Sequence, residues 1–218
     1  MGKIKITGLS GLFGNFKIKF SSSPGEKESN ASSVSLKSTE KALNDGLKDL
    51  DPLVRALSAE VSGQLKEKKA IPALIGALKD PLPIVRQKAA SSLGIIDDRS
   101  AVPALIEALR DESEDVRTTV AGVLGHLRDR LAVPALIAAL KDQSSVTRSK
   151  AAISLGCLGD PKSIPALFQA TKDENEFVRR NAVAALGNIG RLAVPALLET
   201  LKEDGLRELA TQALMKVK

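Results

Sequence analysis

Arg55, Arg86, Arg117, Arg148 and Arg179 stand at steps of 31 residues, and Arg207 follows 28 further on. Asp49, Asp80, Asp111, Asp142 and Asp173 keep the same step. So do Pro72, Pro103, Pro134 and Pro165, with Pro195 one residue early. A fixed period of this length marks a repeat array, in which one supersecondary unit stacks on the next. Each unit then touches mainly its neighbours, and stability is a sum of unit and interface contributions. Such an array is a poor setting for a buried catalytic pocket.

The units carry a helical pattern. Ile71, Leu74, Ile75 and Leu78 lie at i, i+3, i+4 and i+7, one apolar face of a helix. Val85, Ala89 and Leu93 give a second face after a short turn. Each unit therefore reads as helix A, turn, helix B, and six units fill residues 38–218. The expected fold is an all-α, right-handed α-solenoid of about six helix pairs. Aromatic residues make up only 2% of the chain, with no Trp or Tyr. Leu, Ile, Val and Ala must fill the core instead of rings. Asp51, Ser113, Ser144 and Asn175 occupy the expected N-cap of helix B, with Leu82 the exception. Pro52 and Pro83 follow at the first helical position. Asp160-Pro161 reads as the start of a helix A, and Gly159 and Gly190 as left-handed caps ending helix B. Gly94, Gly125, Gly156 and Gly187 fall inside the last turn of helix B, where a side chain would block close approach of a neighbour. The end units differ from the middle, as capping units do: Ser58 and Ser62 replace core residues in the first.

Residues 1–37 have another character. Residues 3–20 alternate polar and apolar around Gly8, Gly11 and Gly14, a pattern suited to a β-hairpin. Residues 21–37 have linker composition. We expect a flexible basic arm and linker over 1–37. That arm holds six Lys and two Glu, so it carries +4 of the net charge of +6. The array is close to neutral, and the basic pI does not point to nucleic acid. The cations of helix B alternate with neutral residues and lack aromatics on which bases would stack. One cysteine, Cys157, rules out an intramolecular disulfide framework and suits a reducing, cytoplasmic setting. No stretch reaches the length of a membrane span, and no secretory signal or myristoylation pattern is legible at the N-terminus.

The segment Ala101-Val102-Pro103-Ala104-Leu105-Ile106-Glu107-Ala108-Leu109-Arg110-Asp111, with Val116-Arg117 and Leu124-Gly125, resembles HEAT repeats of the short bacterial kind found in phycobilisome lyase subunits. The resemblance covers about 180 residues of the chain, counted from residue 38 onward. It implies HEAT-like helix pairs. Such arrays include chromophore lyase subunits, phycobilisome-degradation factors, iron hydroxylases of the deoxyhypusine type, and scaffolds. Fold likeness does not choose among them. The hydroxylases bind two irons through several His and carboxylate ligands, whereas this chain has a single histidine, His126.

The Asp and Arg ladders read as structural: each Arg joins a turn Asp and nearby carbonyls between neighbouring units, using its planar fork. His126 and Cys157 occupy equivalent places in successive units. Neighbouring helices pack 8–10 Å apart, too far for a nucleophile and its base. Cys157 is then either a thiol that meets a bilin or oxidant, or a small residue on a helix. The surface expected to bind is the concave face formed by helix B. Its positions are Gln87, Lys88 and Ser91 in the second unit, Thr118, Thr119 and His126 in the third, and Lys150 and Cys157 in the fourth, with Arg180, Asn181 and Asn188 in the fifth. A further row, Leu53, Ile84, Asp115, Val146 and Phe177, precedes the Val-Arg position and is apolar at four of five places. It either presents a partner surface or fills the gap between units. Lys88, Lys150 and Arg180 are expected to form a basic strip beside it. These readings predict a non-catalytic protein-binding scaffold with no metal or cofactor, whose partner is another protein. The alternative implied by the resemblance is a bilin lyase subunit or phycobilisome-degradation factor that binds a phycobiliprotein or bilin; as an enzyme, the chain would be of that lyase type.

Overall fold

The computed structural model describes residues 38–217. The expected arm over 1–37, with its hairpin at 3–20, lies outside the described residues. Twelve helices follow in six pairs. They are α1 (38–46) with α2 (Pro52–Gln64), and α3 (Ile71–Ala77) with α4 (Pro83–Ile96). Next come α5 (Val102–Ala108) with α6 (Glu114–Leu127), and α7 (Val133–Ala139) with α8 (Ser145–Leu158). The last are α9 (Ile164–Ala170) with α10 (Glu176–Ile189), and α11 (Val194–Thr200) with α12 (Arg207–Lys216). Among the described residues there is no strand. The fold is an all-α solenoid of helix pairs. Odd-numbered helices are the A helices and even-numbered ones the B helices.

An A helix of seven residues is too short to persist alone, so packing must hold it. Leu74, Leu105, Leu136, Leu167 and Leu197, one per A helix from α3 onward, are wholly buried. Leu93, Leu124, Leu155 and Leu186 of the B helices are buried equally deeply. Burying such a side chain stabilises by roughly 1.5–3 kcal/mol each.

The start of helix A differs from the sequence expectation. Pro161 opens a 3₁₀ turn (Pro161–Ser163), and α9 begins only at Ile164. The same turn precedes α3, α5, α7 and α11. In four of these turns an acid caps the turn through its own side chain. Glu67, Asp98, Asp129 and Asp160 accept from the N–H two residues on, at Lys69, Ser100, Leu131 and Lys162. They form a second acidic series at the 31-residue step.

The ends of helix B also depart from expectation in part. Asp51, Ser144 and Asn175 do cap through their side chains. Ser113 makes no such bond; its own N–H is held instead by Asp111 Oδ1 at 2.8 Å. Gly159 ends α8 in the left-handed conformation, whereas Gly190 has φ 86° and ψ −142°, outside that region. Asp97 and Arg128 adopt the left-handed cap without glycine's freedom, which the sequence did not signal.

B helices pack on B helices in an unbroken row: α2 on α4, α4 on α6, α6 on α8, α8 on α10, α10 on α12. Glycine permits this closeness. A Cβ on Gly125 would meet the Ser154 Cα at 2.8 Å, and one on Gly156 would meet the Ala185 Cα at 2.8 Å. The A helices stand further apart, leaving clefts of about 460, 350 and 440 Å³ between α3 and α5, α5 and α7, and α7 and α9. An array tight along one row and open along the other curves toward the tight row, which puts the B helices on the inner side.

Candidate functional site

The Arg–Asp ladder fixes how each B helix faces its neighbours. Arg117 Nε and Nη2 donate to the two carboxylate oxygens of Asp142 at 2.7 and 3.0 Å. Its Nη1 donates to the carbonyls of Asp111 and Glu112 at 2.8 and 3.0 Å. One guanidinium thus ties the turn of its own unit to the turn of the next. Arg55–Asp80, Arg86–Asp111 and Arg148–Asp173 repeat the geometry. Each Asp also accepts from a backbone N–H two residues on, as Asp142 does from Ser144. Burial pushes the Asp80, Asp142 and Asp173 carboxyls up. The arginine forks, the backbone N–H and the adjacent positive charges outweigh that together, and hold all three below the usual carboxylate value.

Two ladder members differ from the expected pairing. Among the described residues Arg179 donates only to the carbonyls of Asp173 and Glu174. The one-residue loss before Pro195 moves Glu203 into the partner position, and Asp204 pairs with Arg207 at 2.6 Å instead. Asp49, at the other end, has no arginine from a preceding unit among the described residues.

The polar residues expected on the concave face are largely committed to neighbouring B helices. Gln87 donates to Thr119 at 3.3 Å, Thr118 meets Thr147 at 2.9 Å, and Asn181 donates to Ser149 at 2.7 Å. The basic strip is also weaker than expected. Lys88 pairs with Glu60 at 3.0 Å, and Arg180 with Glu176 at 3.3 Å. Arg180 lies one residue earlier in its unit than Lys88 and Lys150 do in theirs, so the three do not form one row. Lys150 is left without a carboxylate partner among the described residues. His126 and Cys157 are both exposed, and the His126 ring lies 3.8 Å from Asp97. Asn188 is exposed near the end of α10.

The apolar row does not fill a gap between units. Leu53 is 58% exposed, Ile84 49%, Val146 54% and Phe177 73%. Ile95 and Ile153 add further exposed apolar surface to α4 and α8. Between α4, α6 and α8 lies a groove of about 710 Å³ floored by Gly94 and Gly122. Ser91, Ile95, Thr118, Thr119 and His126 line it, with Lys150 and Lys66 at its sides. Lys66 was missed from the sequence because it lies in the turn after α2, not on a helix. The surface offers apolar contact, hydroxyls and two cations. It gathers no arrangement of nucleophile and base. Among the described residues no three His, Cys, Asp or Glu side chains gather as a metal site, and no helix is long and apolar enough to cross a membrane.

Comparison with known proteins agrees with this geometry. The structure is similar to that of the complex of CpcE and CpcF of phycocyanin lyase from Nostoc sp. PCC7120, at 24% identity and a TM-score of 0.63, over 91% of this chain and 80% of that one. It is similar to a computationally designed armadillo repeat protein for modular peptide recognition, at 19% identity and a TM-score of 0.58, over 84% and 100% of the two chains. It is also similar to a designed armadillo repeat protein in complex with the peptide (KR)4, at 17% identity and a TM-score of 0.59, over 81% and 98%. These likenesses show the fold alone. No curated protein matches the chain in sequence. The family model for HEAT repeats matches residues 40–125, 102–172 and 133–215, and the chain belongs to that family.

Proposed function

We propose that this chain is a non-catalytic scaffold that grips another protein on its B-helix face. One observation carries the reading: the row Leu53, Ile84, Val146 and Phe177 stays exposed in the first turns of α2, α4, α8 and α10. Apolar rows left open in this way mark partner surfaces. Phe177 is the only large ring in the row and the natural anchor. Lys150 and Lys66 at the groove favour an acidic edge on the partner. That is the opposite charge to the (KR)4 peptide held by one of the designed relatives. An amphipathic helix with acidic residues beside its apolar face meets both demands.

Quantitative pull-down with the parent chain and the Phe177→Ala variant as parallel baits tests this. The variant should retain its partner at least about tenfold more weakly, chiefly through faster release. Lys150→Glu should slow association. Equal capture by parent and folded variants would end the B-face reading.

The second reading is a bilin lyase subunit or phycobilisome-degradation factor. It draws on the likeness to the phycocyanin lyase complex and on exposed Cys157. Its test is visible absorbance: bilin colour that co-purifies with the chain and is lost in Cys157→Ser supports it, and a colourless chain in cells that make bilin opposes it.

A further inference from the structure

The α2 edge of the array is built like an interior interface, yet among the described residues no further B helix packs on it. Within the array, four positions of each B helix face the B helix of the preceding unit. They correspond to 54, 57, 61 and 65 in the first unit. At the first, Thr147 bonds Thr118. At the second, Lys88 pairs with Glu60, and Asn181 bonds Ser149. At the third, Ser154 packs on Gly125 and donates to the Ala121 carbonyl at 2.7 Å. At the fourth, Ile96, Leu127 and Leu158 are buried. On α2 and its C-cap these places hold Val54, Leu57, Val61 and Leu65, which are 36%, 42%, 36% and 58% exposed.

A terminal unit that caps a solenoid turns a polar face outward. This one does the reverse. Leu57 stands where the interior units carry Lys88, Thr119, Lys150 or Asn181, and Val61 where they carry Ser92, Val123, Ser154 or Ala185. The polar replacements of the first unit, Ser58 and Ser62, point inward instead; Ser62 is wholly buried. The orphan rung lies beside the strip. Asp49 Oδ1 accepts the Asp51 N–H at 2.8 Å, as every ladder Asp holds the N–H two residues on, but among the described residues no arginine bonds its carboxylate, and Arg55 donates only to its backbone carbonyl at 2.9 Å.

We infer that this edge docks a B-type helix of a different protein, one that carries an arginine eight residues before a glycine. The interior interfaces supply the template. Arg86 meets Asp111 while Gly94, eight residues later, meets Val123; Arg117 meets Asp142 while Gly125 meets Ser154. The arginine of the incoming helix forks onto Asp49, and its glycine sits over Val61. A second copy of this chain does not fit through α12, the last helix described, which has Met215 eight residues after Arg207. Residues 1–37 contain no arginine and lack the pattern as well. This inference stands apart from the B-face reading: it uses another surface and another kind of partner.

The probe is a helix-stabilised, fluorescent peptide with the sequence of residues 83–96, added to the intact chain. Fluorescence anisotropy should give a Kd on the order of 10–100 μM. Asp49→Asn keeps the turn acceptor but removes the charge, and Val61→Lys spoils the contact; each should weaken binding at least about tenfold, as should Arg86→Ala within the peptide. Phe177→Ala should leave the peptide bound as before. A photo-crosslinking phenylalanine at Leu57 should attach to the peptide. The inference fails if the peptide does not bind, or if it binds the Asp49 and Val61 variants as tightly as the parent. It fails equally if the crosslinker attaches to residues 1–37 or to a second copy, since either would name a different occupant.

Discussion

Replacing Arg117 by alanine removes four hydrogen bonds, two to Asp142 that join the third unit to the fourth and two to carbonyls in the turn of its own unit. Arg117 is 5% exposed, and the Asp142 side chain 11%. After the change, the Asp142 carboxylate keeps only the Ser144 N–H among its present donors, and the carbonyls of Asp111 and Glu112 lose theirs. Removing one partner of such a pair leaves a poorly compensated charge in the interior and costs about 3–5 kcal/mol. The intact pair contributes less than that, because its attraction is offset by desolvation. For a domain of this size each kcal/mol lowers Tm by roughly 2–4 °C, so the fall should be about 6–20 °C. Neighbour coupling dominates a solenoid, so the weakened joint should also broaden or split the transition. Thermal and urea melts followed by far-UV circular dichroism read both effects. The control is Arg180→Ala, whose exposed pair with Glu176 contributes little. A double variant, Arg117→Met with Asp142→Leu, should recover much of the loss, because neither charge is then stranded. An Arg117→Ala chain that melts with the Arg180→Ala control would refute the ladder argument.

Other outcomes follow from the same geometry. Gly156→Ala sets a methyl group 2.8 Å from the Ala185 Cα, so α8 and α10 must separate; it should destabilise by more than about 1 kcal/mol, measured by urea denaturation. Gly76→Ala in α3 meets nothing within 4 Å and should stabilise by about 0.4–1 kcal/mol in the same assay. Leu136→Ala empties a wholly buried site in α7 and should cost about 2–5 kcal/mol by equilibrium unfolding. Asp80, Asp142 and Asp173 titrate below the ordinary 3.8 when folded, so the unfolded chain takes up protons first. Their contribution is complete above about pH 5 and is lost as pH falls through 3.8 toward the depressed values; urea midpoints should drop over that window, less steeply in Arg117→Ala.

The helix pairs and the ladder were legible because five copies of one pattern reinforce each other. Arg, Asp, Pro and Leu at a common step leave little freedom in where A and B begin. The 3₁₀ turns were missed, although Asp98, Asp129 and Asp160 announce them at the same step, because their acids read as loop residues. The caps at Asp97 and Arg128 were hidden because the array imposes a left-handed turn on residues that do not favour it. The polar side chains of the B face were misjudged for a different reason. Gln87, Lys88 and Asn181 find partners about one period away, and helical periodicity shows which side a residue faces, not what a neighbouring unit brings to it. The exposure of Ile84, Val146 and Phe177 likewise depends on spacing between units, which no single unit encodes. The open edge of α2 was masked by Ser58 and Ser62, whose polarity suggested a cap although neither faces outward.

The most direct test of a binding scaffold uses selection that presupposes no partner. A displayed library of helical peptides is panned on the intact immobilised chain, and the selected sequences are measured by anisotropy against the parent, Phe177→Ala, Lys150→Glu and Val61→Lys chains. Binding through the B-helix face predicts amphipathic, acidic-edged sequences whose affinity falls at least about tenfold with Phe177→Ala and more modestly with Lys150→Glu. A selection in which no peptide loses affinity with Phe177→Ala would contradict the B-face account; peptides that lose affinity with Val61→Lys alone occupy the α2 edge instead.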